Sequence, residues 1–446
     1  MRLSLFIILV MNACVFACSD TKIVSPPKER DTDSDTTSDS DSETDDIKPD
    51  AGEDETPPDL PSDCSAYDGG VNVSFYSEGD CNTPTVAKGN KILAAWAGDL
   101  KKNEYPKWHI QLTVYDPSTT KVTATAPMAE TALAEKPSIA YGNETFGMVW
   151  LDVQWDPSCK PALLKSCRRD VAFMRFDETG TPMNTTPVQL TNVDNIKQRP
   201  NIAATSDGWI VVWQEQVGSQ KGTVRAMTVS LDGTPGTAFD VSYHGGSDSE
   251  FSAKLASLGD TAIAIWTAYG QTKIEARKLK KEGIATGDVI VIDKDVSFTL
   301  RPDIVAGAGE YLVSMERKVS NDFEIYTVLL DKDGKIKSTF NRATWTTSDA
   351  SQSTLAWNGT NYALAWLSDR NNGDTKPIYD TGSDQVFIAL LDSAGKPATS
   401  AVMISDDPNI ANNIITTWDG SGWTTFWQLA GASRERIFRG RISCNE

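Results

Sequence analysis

The sequence predicts an all-β chain: a single β-propeller of seven four-stranded blades, closed by an N-terminal strand that pairs with the C-terminal blade. Three observations carry this. Short β-branched runs end on a tryptophan at recurring positions: LAAW at Trp96, GMVW at Trp150, IVVW at Trp213, IAIW at Trp266, ALAW at Trp366 and TTFW at Trp427, with LVSM ending on Met315 in the same register. The seven anchors lie 54, 63, 53, 49, 51 and 61 residues apart, and a fixed interval of that size marks a repeat architecture. No stretch shows the 3.6-residue periodicity of an amphipathic helix, so the repeating unit is built from strands.

Each unit can be read strand by strand. An innermost run comes first: TPTVA, KPSIA, RPNIA, AKLAS, RPDIV, STLAW, NIITT. A Gly-, Asn- or Asp-bearing turn follows, then the anchored run, with a further aromatic four positions before the anchor at Phe146, Trp209, Tyr311, Tyr362 and Trp423. The third run often ends in an Asp and Gly turn, as in VYDPSTT, MRFDETG, TVSLDGT, LLDKDG and LLDSAG. A fourth, weaker strand follows most of these, such as VQL at 188–190 and VIVI at 289–292. Four strands at a period of roughly 50 residues fit propeller blades. Met315 marks the one repeat without a tryptophan, and if that repeat were degenerate the count would be six. The last unit stops after a third strand near Arg436 to Ser443, and residues 71–76 form a run with no partners of their own. Pairing these two closes the ring and removes exposed sheet edges.

Charge and cysteine content narrow the function. The chain of 446 residues carries 42 basic and 61 acidic side chains, net −19, and two histidines. Residues 19–63 hold sixteen acids against four bases, so the remainder is only mildly acidic. Nothing offers the clustered Lys and Arg that nucleic acid demands, so nucleic acid is excluded as a partner. The histidine count leaves no basis for a metal site, and no cofactor is expected. Cys159 and Cys167, eight apart in one loop, are expected to close a small disulfide ring. Cys444 after the last strand is expected to bond Cys64, with Cys81 as the alternative; Cys81 is otherwise the odd thiol.

The N-terminal region divides into 1–17, a signal peptide with Arg2 and an apolar core, and 18–63, a lipidated cysteine with an acidic tether. Val15-Phe16-Ala17-Cys18 resembles the bacterial lipobox, with Phe16 bulkier than usual. That resemblance implies cleavage before Cys18, lipidation of its thiol and a membrane partner through the lipid. Ser19 in place of an aspartate points to the outer membrane rather than the inner, hence a cell-envelope location. Residues 19–63, almost devoid of apolar side chains and of one charge sign, cannot offset the entropy of ordering. They also lack calcium-loop spacing.

The anchored repeat resembles the tryptophan-bearing G-x-x-Y-x-V-x-W propeller repeats of large bacterial surface lipoproteins, over roughly 71–443. The resemblance implies architecture and is silent on activity. Ser-x-Asp-x-Gly-x-Thr-Trp boxes, which sialidase-type propellers carry, are absent; Ser206-Asp207-Gly208-Trp209 is a fragment in the wrong register.

In such a blade the innermost strand begins where the second strand ends. Lys136, Arg199 and Arg301 therefore share a face with Asp152, Glu215, Glu316 and Asp369. Those charges either pair to hold blade ends together or line a pocket, where Arg199 and Arg301 would clamp a carboxylate or sugar hydroxyls. The longest loops gather at the same face, and loops on a rigid scaffold are where sites are built. Tyr105, Trp108, Trp155 and Tyr379 in these loops are the expected contact residues. With no catalytic spacing recognisable, the expected function is a membrane-anchored, non-catalytic propeller that binds a protein or glycan. The alternative is a propeller polysaccharide hydrolase or lyase using Asp152, Glu215, Glu316 and Asp369.

Overall fold

The computed structural model describes residues 57–446 apart from 75–83, 100–107, 125–132, 161–166, 217–221, 243–250, 269–272, 295–301, 321, 347–348, 369–383, 406–409, 431–434 and 445–446. The described residues belong to one compact unit, Ala51–Glu446. No helix among them is long and apolar enough to cross a membrane.

Strand β1 (Cys64–Asn72) comes first in the chain and last in the ring. Blade one follows as β2 (Thr85–Lys88), β3 (Ile92–Asp99), β4 (Trp108–Asp116) and β5 (Lys121–Ala124). Blade two is β6 (Ala134–Gly142), β7 (Thr145–Asp152), β8 (Asp170–Phe176) and β9 (Val188–Gln189). Blade three is β10 (Ile196–Thr205), β11 (Gly208–Gln216), β12 (Thr223–Ser230) and β13 (Phe239–Asp240). Blade four is β14 (Phe251–Leu258), β15 (Thr261–Ala268), β16 (Lys273–Lys280) and β17 (Ile284–Asp293). Blade five is β18 (Asp303–Ala306), β19 (Tyr311–Val319), β20 (Asp322–Leu330) and β21 (Asn341–Arg342). Blade six is β22 (Ala350–Trp357), β23 (Tyr362–Ser368), β24 (Gln385–Leu391) and β25 (Val402–Met403). Blade seven is β26 (Ile410–Trp418), β27 (Trp423–Ala430) and β28 (Arg436–Cys444), with β1 as its outer strand. All seven sheets are four-stranded, so the repeat at Met315 is a full blade.

The closing strand starts earlier than the sequence reading placed it. It pairs from Cys64 opposite Cys444 to Asn72 opposite Phe438, and Val73 N–H reaches the Ile437 carbonyl at 2.9 Å. The Cys64–Cys444 disulfide therefore joins directly opposed residues, with Cα atoms 4.0 Å apart, and excludes the Cys81 alternative for Cys444. On the chain-entropy model, a crosslink over 380 residues contributes about 6 kcal/mol. Cys159–Cys167 forms the expected small ring.

The core is not one mass but seven wedges, each between neighbouring blades. Trp150 and Phe146 pack with Leu93, Ala95 and Leu112 between blades one and two, and Trp209, Trp213, Phe173 and Val211 fill the next wedge. The last wedge sets Trp96 and Tyr115 against Phe426 and Ile437, across the junction made by closure. Every anchor from Trp96 to Trp427 is buried, as are the aromatics four positions earlier. Truncating one to alanine costs about 3–5 kcal/mol in a close-packed interior. The turns after third strands are fixed locally. The Oδ1 atoms of Asp177, Asp331 and Asp392 accept backbone N–H bonds from residues two and four further on, at 2.8–3.0 Å. Gly180, Gly334 and Gly395 in those turns have φ of 74°, 86° and 76°, the left-handed region where a side chain is penalised.

Candidate functional site at the channel mouth

The end of the ring where innermost strands begin is also where second strands end and third strands start. At this end five innermost strands carry a β-bulge, each centred on a non-glycine residue in the left-handed region: Lys136 (φ 55°), Arg199 (48°), Ser252 (55°), Gln352 (50°) and Asn413 (47°). Non-glycine residues resist this conformation, and one bulge per blade puts a polar side chain at the same place around the channel. Neighbouring bulges touch. The Arg199 guanidinium donates to the Ser252 hydroxyl, and Asn413 N–H donates to Gln352 Oε1 at 2.9 Å. Two or three residues further along, a second tier links blades. Thr85, Asn201 and Asp303 accept the backbone N–H of Ile139, Leu255 and Leu355 in the following blade, at 3.2, 2.9 and 2.8 Å.

Carboxylates surround this rim, and most are neutralised. Glu215 accepts the Trp213 indole N–H (2.9 Å), the Asn195 amide (2.9 Å) and Arg225 (3.2 Å). Burial works to raise its pKa, yet these donors together hold it below the usual glutamate value. Asp152, fully buried, accepts the Trp150 indole (2.8 Å) and both the backbone and side-chain N–H groups of Gln154 (2.9 and 3.1 Å). Here burial dominates and the pKa rises. Asp170 at the start of β8 meets Arg168 (3.1 Å) and the buried Lys197 (3.3 Å). Asp293 is forked by Arg317 at 2.6 and 2.7 Å, and Glu324 is met by Arg342 at 3.0 Å.

Blades five to seven differ. Glu316, at the β19 end of the rim and buried, accepts the backbone N–H of the Gln352 bulge at 2.9 Å. The Gln352 side chain donates to Asn412 Oδ1 at 2.8 Å while its carbonyl oxygen takes the Asn413 N–H. The Asn413 side chain donates to Gln428 Oε1 at 2.6 Å, and Gln428 donates to Glu435 Oε2 at 2.8 Å. A chain of amides thus runs from one carboxyl to another across the rim of two blades. Among the described residues Gln428 is the hydrogen-bond partner of Glu435, and no cation adds to it. Burial pushes the Glu435 pKa up to about 7, with the Gln428 amide pulling the other way.

Of the residues expected from sequence, Arg199, Asp152, Glu215 and Glu316 do stand at this rim. Asp152 and Glu215 have their oxygens engaged by donors that mainly lie within their own blades. Trp108 and Trp155 are partly buried. Trp108 packs with Leu133, Val153 and the Cys159–Cys167 ring, and Trp155 lies against the wedge between blades one and two. Asp156 near that ring spends its carboxylate on Ser158 and the Arg168 N–H, and both cysteines are bonded, so the group is no metal site. Cys18, Cys81, Tyr105, Arg301, Asp369 and Tyr379 lie outside the described residues. Glu435, Gln428, Gln352 and Asn413 were not anticipated.

No family model matches the chain, and no curated protein does. Solved structures similar to it include a Penicillium chrysogenum α-L-arabinanase (10% identity, TM-score 0.47, covering 85% of this chain and 98% of that one). The phage phi92 endosialidase aligns at 8% identity and TM-score 0.49, over 86% of this chain and 70% of that one. The Fusarium graminearum α-L-arabinofuranosidase aligns at 11% and 0.45, over 85% and 98%. At such identities the likeness shows a shared fold alone. The expectation of a non-catalytic binding module is corrected to the alternative weighed beside it, the solved structures named above being an arabinanase, an endosialidase and an arabinofuranosidase.

Proposed function

We propose that the protein cleaves a polysaccharide, as a hydrolase or lyase, using carboxylates at the channel mouth. The observation behind this reading is the placement of Glu316. Its carboxylate is seated on the N–H of a left-handed bulge, in a ring of five such bulges that gather polar side chains at one channel end. Backbone held in costly conformations clusters at functional sites, where surrounding structure maintains it for a purpose. Acid–base cleavage of a glycosidic bond needs carboxyl groups held in this way beside an open space. In this reading Asp152 and Glu215 brace blade ends, while Arg199 and Arg301 hold the substrate with Tyr105, Trp108, Trp155 and Tyr379.

The protein is tethered to the bacterial envelope, at the outer membrane, through a lipid on Cys18 and the acidic stretch that follows. The lipobox-like residues and the charge of 19–63 support this part. Cys18→Ser is expected to move the protein from the membrane to the soluble fraction.

The activity is tested by incubating the purified protein with arabinan, galactan and polygalacturonate. Reducing ends report cleavage of any kind, and ultraviolet absorbance reports the unsaturated product of a lyase. Release that falls on the order of 10²–10⁴-fold in Glu316→Gln supports the reading. No release from any polysaccharide counts against it.

A further inference from the structure

We propose that Glu435 is the proton donor of this site, with Gln428, Asn413 and Gln352 holding it in register with Glu316. The inference rests on the polysaccharide-cleaving reading and assigns its acid. Three features of the geometry support it. Glu435 stands immediately before β28, so it reaches the same rim as Glu316 from the opposite side of blades six and seven. Its Oε2 accepts the Gln428 amide at 2.8 Å. The four amide hydrogen bonds between the two carboxyls all have defined donors and acceptors, so neither group can turn without breaking the chain.

Such a device makes chemical sense only for an acid that keeps its proton near neutrality. The influences on Glu435 are burial and the Gln428 amide, and no charged group among the described residues joins them. A carboxyl in that setting stays neutral to about pH 7, whereas Asp170, Glu215, Asp293 and Glu324 face Lys or Arg. For hydrolysis the step balances without any co-reactant except water. The Glu435 O–H proton passes to the glycosidic oxygen as its bond to the anomeric carbon breaks. Water adds to that carbon, and its released proton goes to Glu316. Exchange with solvent then returns a proton to Glu435 and removes one from Glu316.

The test compares wild type, Glu435→Gln, Glu435→Asp and Gln428→Met, all in the full chain. On a polysaccharide that wild type cleaves, Glu435→Gln should lose on the order of 10²–10⁴-fold in rate. On the dinitrophenyl glycoside of the same sugar, whose leaving group needs no proton, the variant should retain most of its activity. A purely structural glutamate would lower both rates together. Carboxyl-carbon NMR should place the Glu435 midpoint near neutrality, and higher in Gln428→Met because a donor to the ionised form has gone. Glu435→Asp should recover part of the polysaccharide rate. Equal loss on both substrates, or an ordinary carboxylate midpoint in wild type, overturns the assignment. If wild type cleaves no polysaccharide, the underlying functional reading fails instead. The NMR midpoint would separately show whether the acid is built as described.

Discussion

Blade three and blade seven place a glutamate at the same end of the ring and treat it in opposite ways. Glu215 is surrounded by an indole, an amide and the Arg225 guanidinium, and the sum holds it ionised against its burial. Glu435 is given burial and one neutral amide, and its pKa rises to about 7. Glu215 lies near the end of the second strand of its blade and Glu435 just before the third strand of its own, and the donors each meets differ. In this pair the indole, amide and guanidinium donors outweigh burial at Glu215, while at Glu435 burial outweighs a single amide. The same end of the ring therefore holds one glutamate below the usual carboxylate range and raises another above it.

The comparison can be broken hardest from the braced side. Lys197 is wholly buried, and burial lowers its pKa against the pull of Asp170. Lys197→Met leaves Asp170 without its buried cation and is expected to cost about 3–5 kcal/mol in denaturant unfolding. Next comes the acid side. Because the folded pKa of Glu435 lies above the unfolded value near 4.5, the folded state holds its proton across a window where the unfolded state does not. Its contribution to stability is full below about pH 4.5 and is lost as pH rises to about 7, by up to ~3 kcal/mol. Subtracting the pH profile of Glu435→Gln from that of wild type should isolate this slope; identical profiles would refute it. The smallest effect sharpens the contrast. Arg225→Gln turns the Glu215 site into one served by neutral donors, so the Glu215 midpoint should rise and stability at pH 7 should fall by about 1–2 kcal/mol.

The architecture was legible because it is written in a repeat. Apolar runs, Asp and Gly turns and buried anchors recur at an interval no helix-based fold would use, and each wedge between blades needs the same large side chains. The bulges were half legible. Lys136, Arg199, Ser252, Gln352 and Asn413 each stand fourteen residues before their blade's anchor, a signal present in the chain. Attention to charge singled out Lys136 and Arg199 and passed over the neutral members, although hydrogen bonding there depends on the amides. Glu435 had no periodic signal. It follows the loop after β27, and those loops differ in length from blade to blade. Its raised pKa arises from burial, which is a property of packing and not of any residue in the string. Trp108 and Trp155 were nominated for lying in polar loops; the disulfide ring and a blade wedge give both an apolar neighbour that the loop composition conceals.

The outer strand of blade seven has one further consequence, for the order in which the molecule is made. Among the described strands β1 leaves the ribosome first and β28 last, yet each is the other's neighbour. For almost the whole of synthesis the opening segment has no sheet to join, and six blades must accumulate beside an unclosed gap. Such distant pairing makes completion slow and leaves intermediates with sticky borders until the final residues arrive. A chain cut short by a few tens of residues at its far end would lose its beginning as well.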